Sequence, residues 1–157
     1  RCVAVDVRLL AAALDSEVNG VWDPARRVGP PRDMGLPLAH YWISSSHNTY
    51  LTGDQLQSAA MASQYAAALK RGCRCVEVDC WDGAPGGEPV VTHGHTMCTQ
   101  IPFRDVMRAL KEADWAANPY PVIVSIEMHC SQPFQEAMAR IAKEVLGPLI
   151  ALPGELG

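Results

Sequence analysis

No stretch of this sequence approaches the roughly 18 consecutive apolar residues of a membrane-spanning helix. The apolar N-terminal stretch, residues 3–14, is broken by Asp6 and Arg8. Any membrane is therefore met from the water side. Basic charge is also scarce. The 13 Lys and Arg stand against 17 Asp and Glu, a net charge of −4, which excludes the bulk basic footprint of a nucleic-acid-binding domain. No nucleic acid partner is expected. There is no short repeat, low-complexity tract or charge block, and nothing at Arg1-Cys2 resembles a signal peptide. Six cysteines are present, but 157 residues that are 48% apolar can bury a core without disulfides. Four of the six lie in apolar, strand-like stretches, so buried reduced thiols and a cytoplasmic setting are expected.

The length suits one domain. The sequence begins without Met and stops in the loop-like Leu152-Pro153-Gly154-Glu155, which reads as a piece of a longer protein. Residues 1–20 have an untidy helical pattern. Residues 23–38, with Pro24, Pro30, Pro31 and Pro37, read as an extended linker. Strands are expected over 40–44, 73–81, 89–93 and 122–128, the last an almost unbroken apolar run as in a strand buried on both faces. Helices are expected over 54–71, ended by Gly72, over a segment carrying Phe103, Val106, Met107, Leu110 and Ala113, and from Phe134 to Val145. The alternation argues for an α/β fold of about four parallel strands with crossover helices. A closed barrel of eight strands needs about 250 residues, so four strands amount to half of one.

Polar residues gather at one end of these strands. His47-Asn48 follow the first, Glu77 and Asp79 end the second, His93 ends the third and Glu127 ends the fourth. Sites in parallel α/β folds are built on that edge. Glu77 and Asp79 are two apart and share a face of a strand. Facing a core, two carboxylates repel and desolvate badly unless a cation lies between them. The bland alternative, an edge strand with solvated acids, fits poorly with neighbours Cys73, Cys75, Val76, Val78, Cys80 and Trp81. Adding Glu127 and the Asn48 amide oxygen makes an all-oxygen set of charge −3, which suits calcium better than magnesium. Zinc is the weaker expectation, because His93-Gly94-His95 with Cys98, or His129-Cys130, matches no usual zinc spacing. His47 and His93, at strand ends beside a cation site, are candidates for acid, base or charge stabiliser. His95 and His129 read as structural or rim residues.

These residues carry a resemblance. The run from Pro37 through Tyr41-Trp42-Ile43-Ser44-Ser45-Ser46-His47-Asn48-Thr49-Tyr50-Leu51 resembles the opening of the X region of eukaryotic phosphoinositide-specific phospholipase C. So do Gly72-Cys73-Arg74-Cys75-Val76-Glu77-Val78-Asp79-Cys80-Trp81-Asp82-Gly83, His93-Gly94-His95-Thr96 and Tyr120-Pro121-Val122-Ile123-Val124-Ser125-Ile126-Glu127-Met128-His129-Cys130, in the family's order and approximate spacing. The resemblance implies the X half of a (β/α)8 barrel over residues 37–150, after an N-terminal segment and linker at 1–36. Residues 151–157 would begin a linker towards a Y region that completes the barrel in the same full-length protein, and the X half alone is expected to be inactive.

The activity implied is calcium-dependent cleavage of phosphatidylinositol phosphates to diacylglycerol and an inositol phosphate, through a cyclic phosphodiester. The partner would be a phosphoinositide lipid at a membrane surface, reached peripherally from the cytoplasm. Carried over by motif, Asn48, Glu77, Asp79 and Glu127 would hold calcium, with His47, His93 and Glu77 catalytic. Two alternatives remain at this point. One is an inositol-phosphate-binding module without turnover, which usually lacks a catalytic group. The other is a glycerophosphodiester phosphodiesterase, whose His-Arg pair is missing after the first strand.

Overall fold

The structure, a computed structural model, describes residues 6–16, 34–113 and 118–151. The chain divides into two compact units, Arg1–Tyr41 and Trp42–Gly157. In the first unit, helix α1 (Val7–Leu14) starts at Asp6, whose carboxylate accepts from Arg8 N at 2.8 Å. A 3₁₀ turn follows at Leu38–His40. Most of the linker expected at 23–38 lies outside the described residues.

The second unit is an α/β layer pair: β1 (Ser45–Ser46), α2 (Ser63–Lys70), β2 (Cys75–Trp81), β3 (Val90–Val91), β4 (Ile101–Pro102), α3 (Phe103–Lys111), β5 (Ile123–Met128) and α4 (Gln132–Leu146). Strand β2 is the axis of the sheet. On one side β1 runs parallel to its first half, with Ser46 opposite Val76. Along the other, β5 pairs parallel over its length, from Cys75 opposite Ile123 to Cys80 opposite Met128. The period of two sends Val76, Val78 and Cys80 into the buried core with Tyr65, Val91, Phe103, Val106, Met107, Leu110, Met138, Ile141 and Val145. Glu77 and Asp79 face the opposite way. Burial pushes the Cys80 thiol up to about 12, and Cys73, Cys75, Cys80, Cys98 and Cys130 are all free thiols.

Four expectations need correction. The third strand is not parallel. Trp81 pairs with Val90 antiparallel, and β4 continues the meander. The connection between β2 and β3 is shorter than the dozen or so residues a parallel crossover needs, so a hairpin forms instead. The first strand begins at Ser45, later than expected, because Leu38–His40 takes a 3₁₀ turn.

The helix expected from residue 54 starts only at Ser63. Asp54 binds the amides of Leu56 (2.7 Å) and Gln57 (2.9 Å), and Thr52 N reaches Ala59 O, so this stretch spends its hydrogen bonds on a compact turn. Gly72, at φ 100°, does end α2.

Strand β5, finally, is not buried on both faces. Ile126 and Met128 keep 46% and 43% of their surface exposed, because among the described residues β5 pairs with β2 alone. No helix among the described residues is long and apolar enough to cross a membrane.

Candidate active site

Glu77 and Asp79 project from one face of β2, and the register sets Glu127 of β5 directly opposite Asp79. One ligand oxygen from each of the three lies within 4.8 Å of the others, and this is the one such cluster of histidine, cysteine and carboxylate groups among the described residues. The zinc combinations do not assemble.

Asp79 is only 3% exposed. Its Oδ2 accepts from the Tyr50 hydroxyl at 2.6 Å, while its Oδ1 is buried with no hydrogen-bond partner. Burial foremost, then the charges of Glu127 and Glu77, push the Asp79 carboxyl above the usual carboxylate range, against the lowering pull of the Tyr50 bond and His93. Three converging carboxylates, one with a buried oxygen that lacks a partner, make a donor set that suits a hard cation.

The turn after β1 closes the cluster. Asn48 takes φ 44°, a left-handed conformation that asparagine tolerates, and its amide N–H donates to Glu77 Oε2 at 2.7 Å. Its side-chain oxygen accepts from the Tyr50 hydroxyl at 3.1 Å. Turned by half a rotation, the NH2 instead donates to Glu77 Oε2 (3.3 Å) and Asp79 Oδ2 (3.2 Å). Asn48 thus suits the carboxylates with or without a cation between them. Thr49 Oγ1 accepts from Glu77 N at 3.0 Å and fastens the turn to β2.

Two imidazoles flank this centre. His47 Nε2 stands 3.6 Å from Glu77 Oε2, with 68% of its side chain exposed. His93, beyond β3, bonds through Nδ1 to the Gln55 carbonyl at 2.6 Å. Because β3 is antiparallel, His93 does not arrive as the C-terminal residue of a parallel strand. It arrives because the hairpin folds back along β2, where Thr92 N bonds to Asp79 O at 3.2 Å. All six residues singled out by sequence are therefore placed around one centre by β1, β2, β3 and β5.

Beside the centre lie His129 and His95, read from sequence as structural or rim residues, and two residues the sequence did not single out. His129 Nε2 contacts Glu127 Oε1 at 3.0 Å, and its ring stacks on Trp81 with centroids 4.1 Å apart. The signal was its two-residue spacing from Glu127. His95 meets Trp81 edge-on. Leu56 and Met97, 70% and 76% exposed, are joined by the bond from Met97 N to Leu56 O at 2.8 Å. No sequence pattern marked that pair, since they belong to separate turns.

Gly94 explains the glycine after His93. A Cβ there would strike Trp81 Cζ2 and lie 2.5 Å from Cε2. Gly94→Ala is expected to lower stability by about 1–3 kcal/mol through overpacking, measured by chemical denaturation. Unchanged stability would show that the indole yields freely.

Residues 34–154 match the family model of the phosphatidylinositol-specific phospholipase C X domain. The chain is 50% identical over 137 residues to rat 1-phosphatidylinositol 4,5-bisphosphate phosphodiesterase gamma-2, covering 87% of this chain and 11% of that protein. It is 52% identical over 119 residues to the mouse delta-3 enzyme of the same name, covering 76% of this chain and 15% of that one. The crystal structure of S. officinalis PLC21 superposes with a TM-score of 0.72 at 47% identity, covering 78% of this chain and 16% of that one. The chain thus spans a small part of the length of each relative.

Proposed function

Because the chain belongs to the X-domain family of phosphatidylinositol-specific phospholipase C, we propose that its full-length protein cleaves phosphatidylinositol phosphates, such as the 4,5-bisphosphate, to diacylglycerol and an inositol phosphate. The observation that carries this is the convergence of Glu77, Asp79 and Glu127 within 4.8 Å, with a partnerless Asp79 oxygen and imidazoles beside it. In this reading residues 37–150 are the X half, and a Y region of the same protein completes the barrel.

Asn48, Glu77, Asp79 and Glu127 would hold calcium. A calcium ion held there would lower the pKa of the inositol 2-hydroxyl and neutralise phosphoryl charge. Glu77 accepts the 2-hydroxyl proton as that oxygen attacks phosphorus. His47 donates a hydrogen bond to the phosphoryl oxygens as charge builds in the transition state. His93 gives its proton to the departing diacylglycerol oxygen. A cyclic inositol phosphate results, and water opens it in a second step.

A lipid substrate requires an approach to a membrane surface, in this reading peripherally and from the cytoplasm. Leu56 and Met97 support it, since Leu56 adjoins the residue that touches His93 and both side chains face water. The test is hydrolysis of phosphatidylinositol 4,5-bisphosphate by the full-length protein, in vesicles and as a short-chain monomer. Chelating calcium should abolish turnover of both. Leu56→Ser with Met97→Ser should lower vesicle hydrolysis about tenfold, the equivalent of roughly one lost apolar side-chain burial, and leave the monomer rate unchanged. Equal turnover with and without calcium would overturn the assignment.

A further inference from the structure

We infer that Gln55 is a positioning residue that sets the proton arrangement of both active-site histidines, one through its main chain and the other through its side chain. The inference rests on the phosphodiesterase reading above and assigns a role to a residue outside the calcium ligands.

The Gln55 carbonyl has only lone pairs to offer. Its 2.6 Å contact with His93 Nδ1 therefore requires the proton on Nδ1. The Nε2 atom of His93 is left as the one that gains and gives up a proton during the reaction.

At His47 the polarity is reversed. The Gln55 side-chain Nε2 can only donate, and it stands 3.4 Å from His47 Nδ1. The neutral ring then carries its hydrogen on Nε2, which faces the Glu77 Oε2 acceptor at 3.6 Å. With the Gln55 amide turned the other way, its oxygen would demand a proton on His47 Nδ1. That would set an Nε2 lone pair against the carboxylate. Charge complementarity selects the first arrangement. His47 is thus held with an Nε2 hydrogen turned to the centre, where it can meet phosphoryl charge, while His93 keeps Nε2 as the atom that carries the proton for the departing oxygen.

The turn that carries Gln55 is secured on both sides. Asp54 accepts from the amides of Leu56 and Gln57 at 2.7 and 2.9 Å. Leu56 O accepts from Met97 N, in the loop that also holds His93. Within that loop Thr96 Oγ1 donates to His93 O at 2.6 Å. The main-chain and side-chain roles can therefore be separated. Gln55→Ala keeps the carbonyl under His93 and removes only the contact with His47. Gln55→Glu replaces the donor by an acceptor and draws a hydrogen onto His47 Nδ1.

The experiment is ring-nitrogen NMR of the full-length protein labelled with [15N]histidine, recorded without lipid. His47→Ala identifies the His47 signals, and kcat, KM and calcium affinity are measured on the same samples. The wild type should show His47 as the Nε2–H tautomer. Gln55→Ala should mix the tautomers and lower kcat about tenfold, with KM and calcium affinity unchanged. Gln55→Glu should show a hydrogen on Nδ1 and lower kcat more, since a wrong proton arrangement on a histidine is costly in acid-base catalysis. A His47 pattern that is the same in wild type and both variants overturns the inference whatever turnover does. An altered tautomer with normal kcat overturns its role in the reaction. The phosphodiesterase reading is judged separately, by turnover in His47→Ala and His93→Ala.

Discussion

Replacing His47 or His93 by alanine should cut turnover of phosphatidylinositol 4,5-bisphosphate by ~10²–10⁴-fold, the usual loss when a positioned acid, base or transition-state donor is removed. Calcium affinity should hardly change, because neither imidazole belongs to the carboxylate cluster. Melting should hardly change either. The His47 side chain is 68% exposed, and no hydrogen bond of its ring reaches the core. A histidine important only for packing makes the opposite forecast, with stability and activity falling together. Turnover in mixed micelles at fixed calcium, alongside melting curves, separates the two. Near-normal turnover in both variants would leave a module that binds inositol phosphates without cleaving them.

The second large effect concerns the acids, and its two parts have opposite signs. Asp79→Asn and Glu127→Gln should each weaken calcium binding by at least the 10–100-fold typical of lesser disturbances around a metal. Without calcium, however, Asp79→Asn should melt no lower than the wild type. The folded-state pKa of Asp79 lies above the ordinary value, chiefly through burial and then through Glu127 and Glu77. A carboxyl shifted upward adds stability below its unfolded pKa and loses it as pH rises through the folded one. At neutral pH its charge is therefore a burden until a cation arrives. Asparagine removes that burden and still accepts the Tyr50 bond. Titration calorimetry and calcium-free melting curves check both parts. Undiminished affinity would exclude these ligands. A sharp fall in calcium-free melting would mean that Asp79 is needed for folding rather than for charge.

The acid face of β2 was legible because it follows from the period of two. Once Val76, Val78 and Cys80 were core, Glu77 and Asp79 had to share the other face. Glu127 was legible as a carboxylate in an apolar run, although its register against Asp79 needed the sheet. What escaped was decided by connections rather than by side-chain patterns. The 54–61 stretch has a helical complexion, yet the Asp54 carboxylate takes the amides of Leu56 and Gln57. Residues 89–93 look like any apolar strand, and only the short link from β2 reveals the antiparallel turn-back. The apolar run of β5 spoke of burial on two faces, but burial depends on what lies alongside, and that lies beyond β2 and the helices described. Gln55 escaped for another reason. A main-chain carbonyl leaves no trace in residue type.

The open flank of β5 also shows how local the support of the centre is. Every side chain assigned to the centre, from His47 to Glu127, comes from strands and turns that precede α4. Their mutual bonds, from Asn48 N to Glu77 and from Tyr50 to Asp79, already run within this one unit. The three carboxylates and both imidazoles therefore take their places from contacts made within this unit, whatever lies along the open edge of β5.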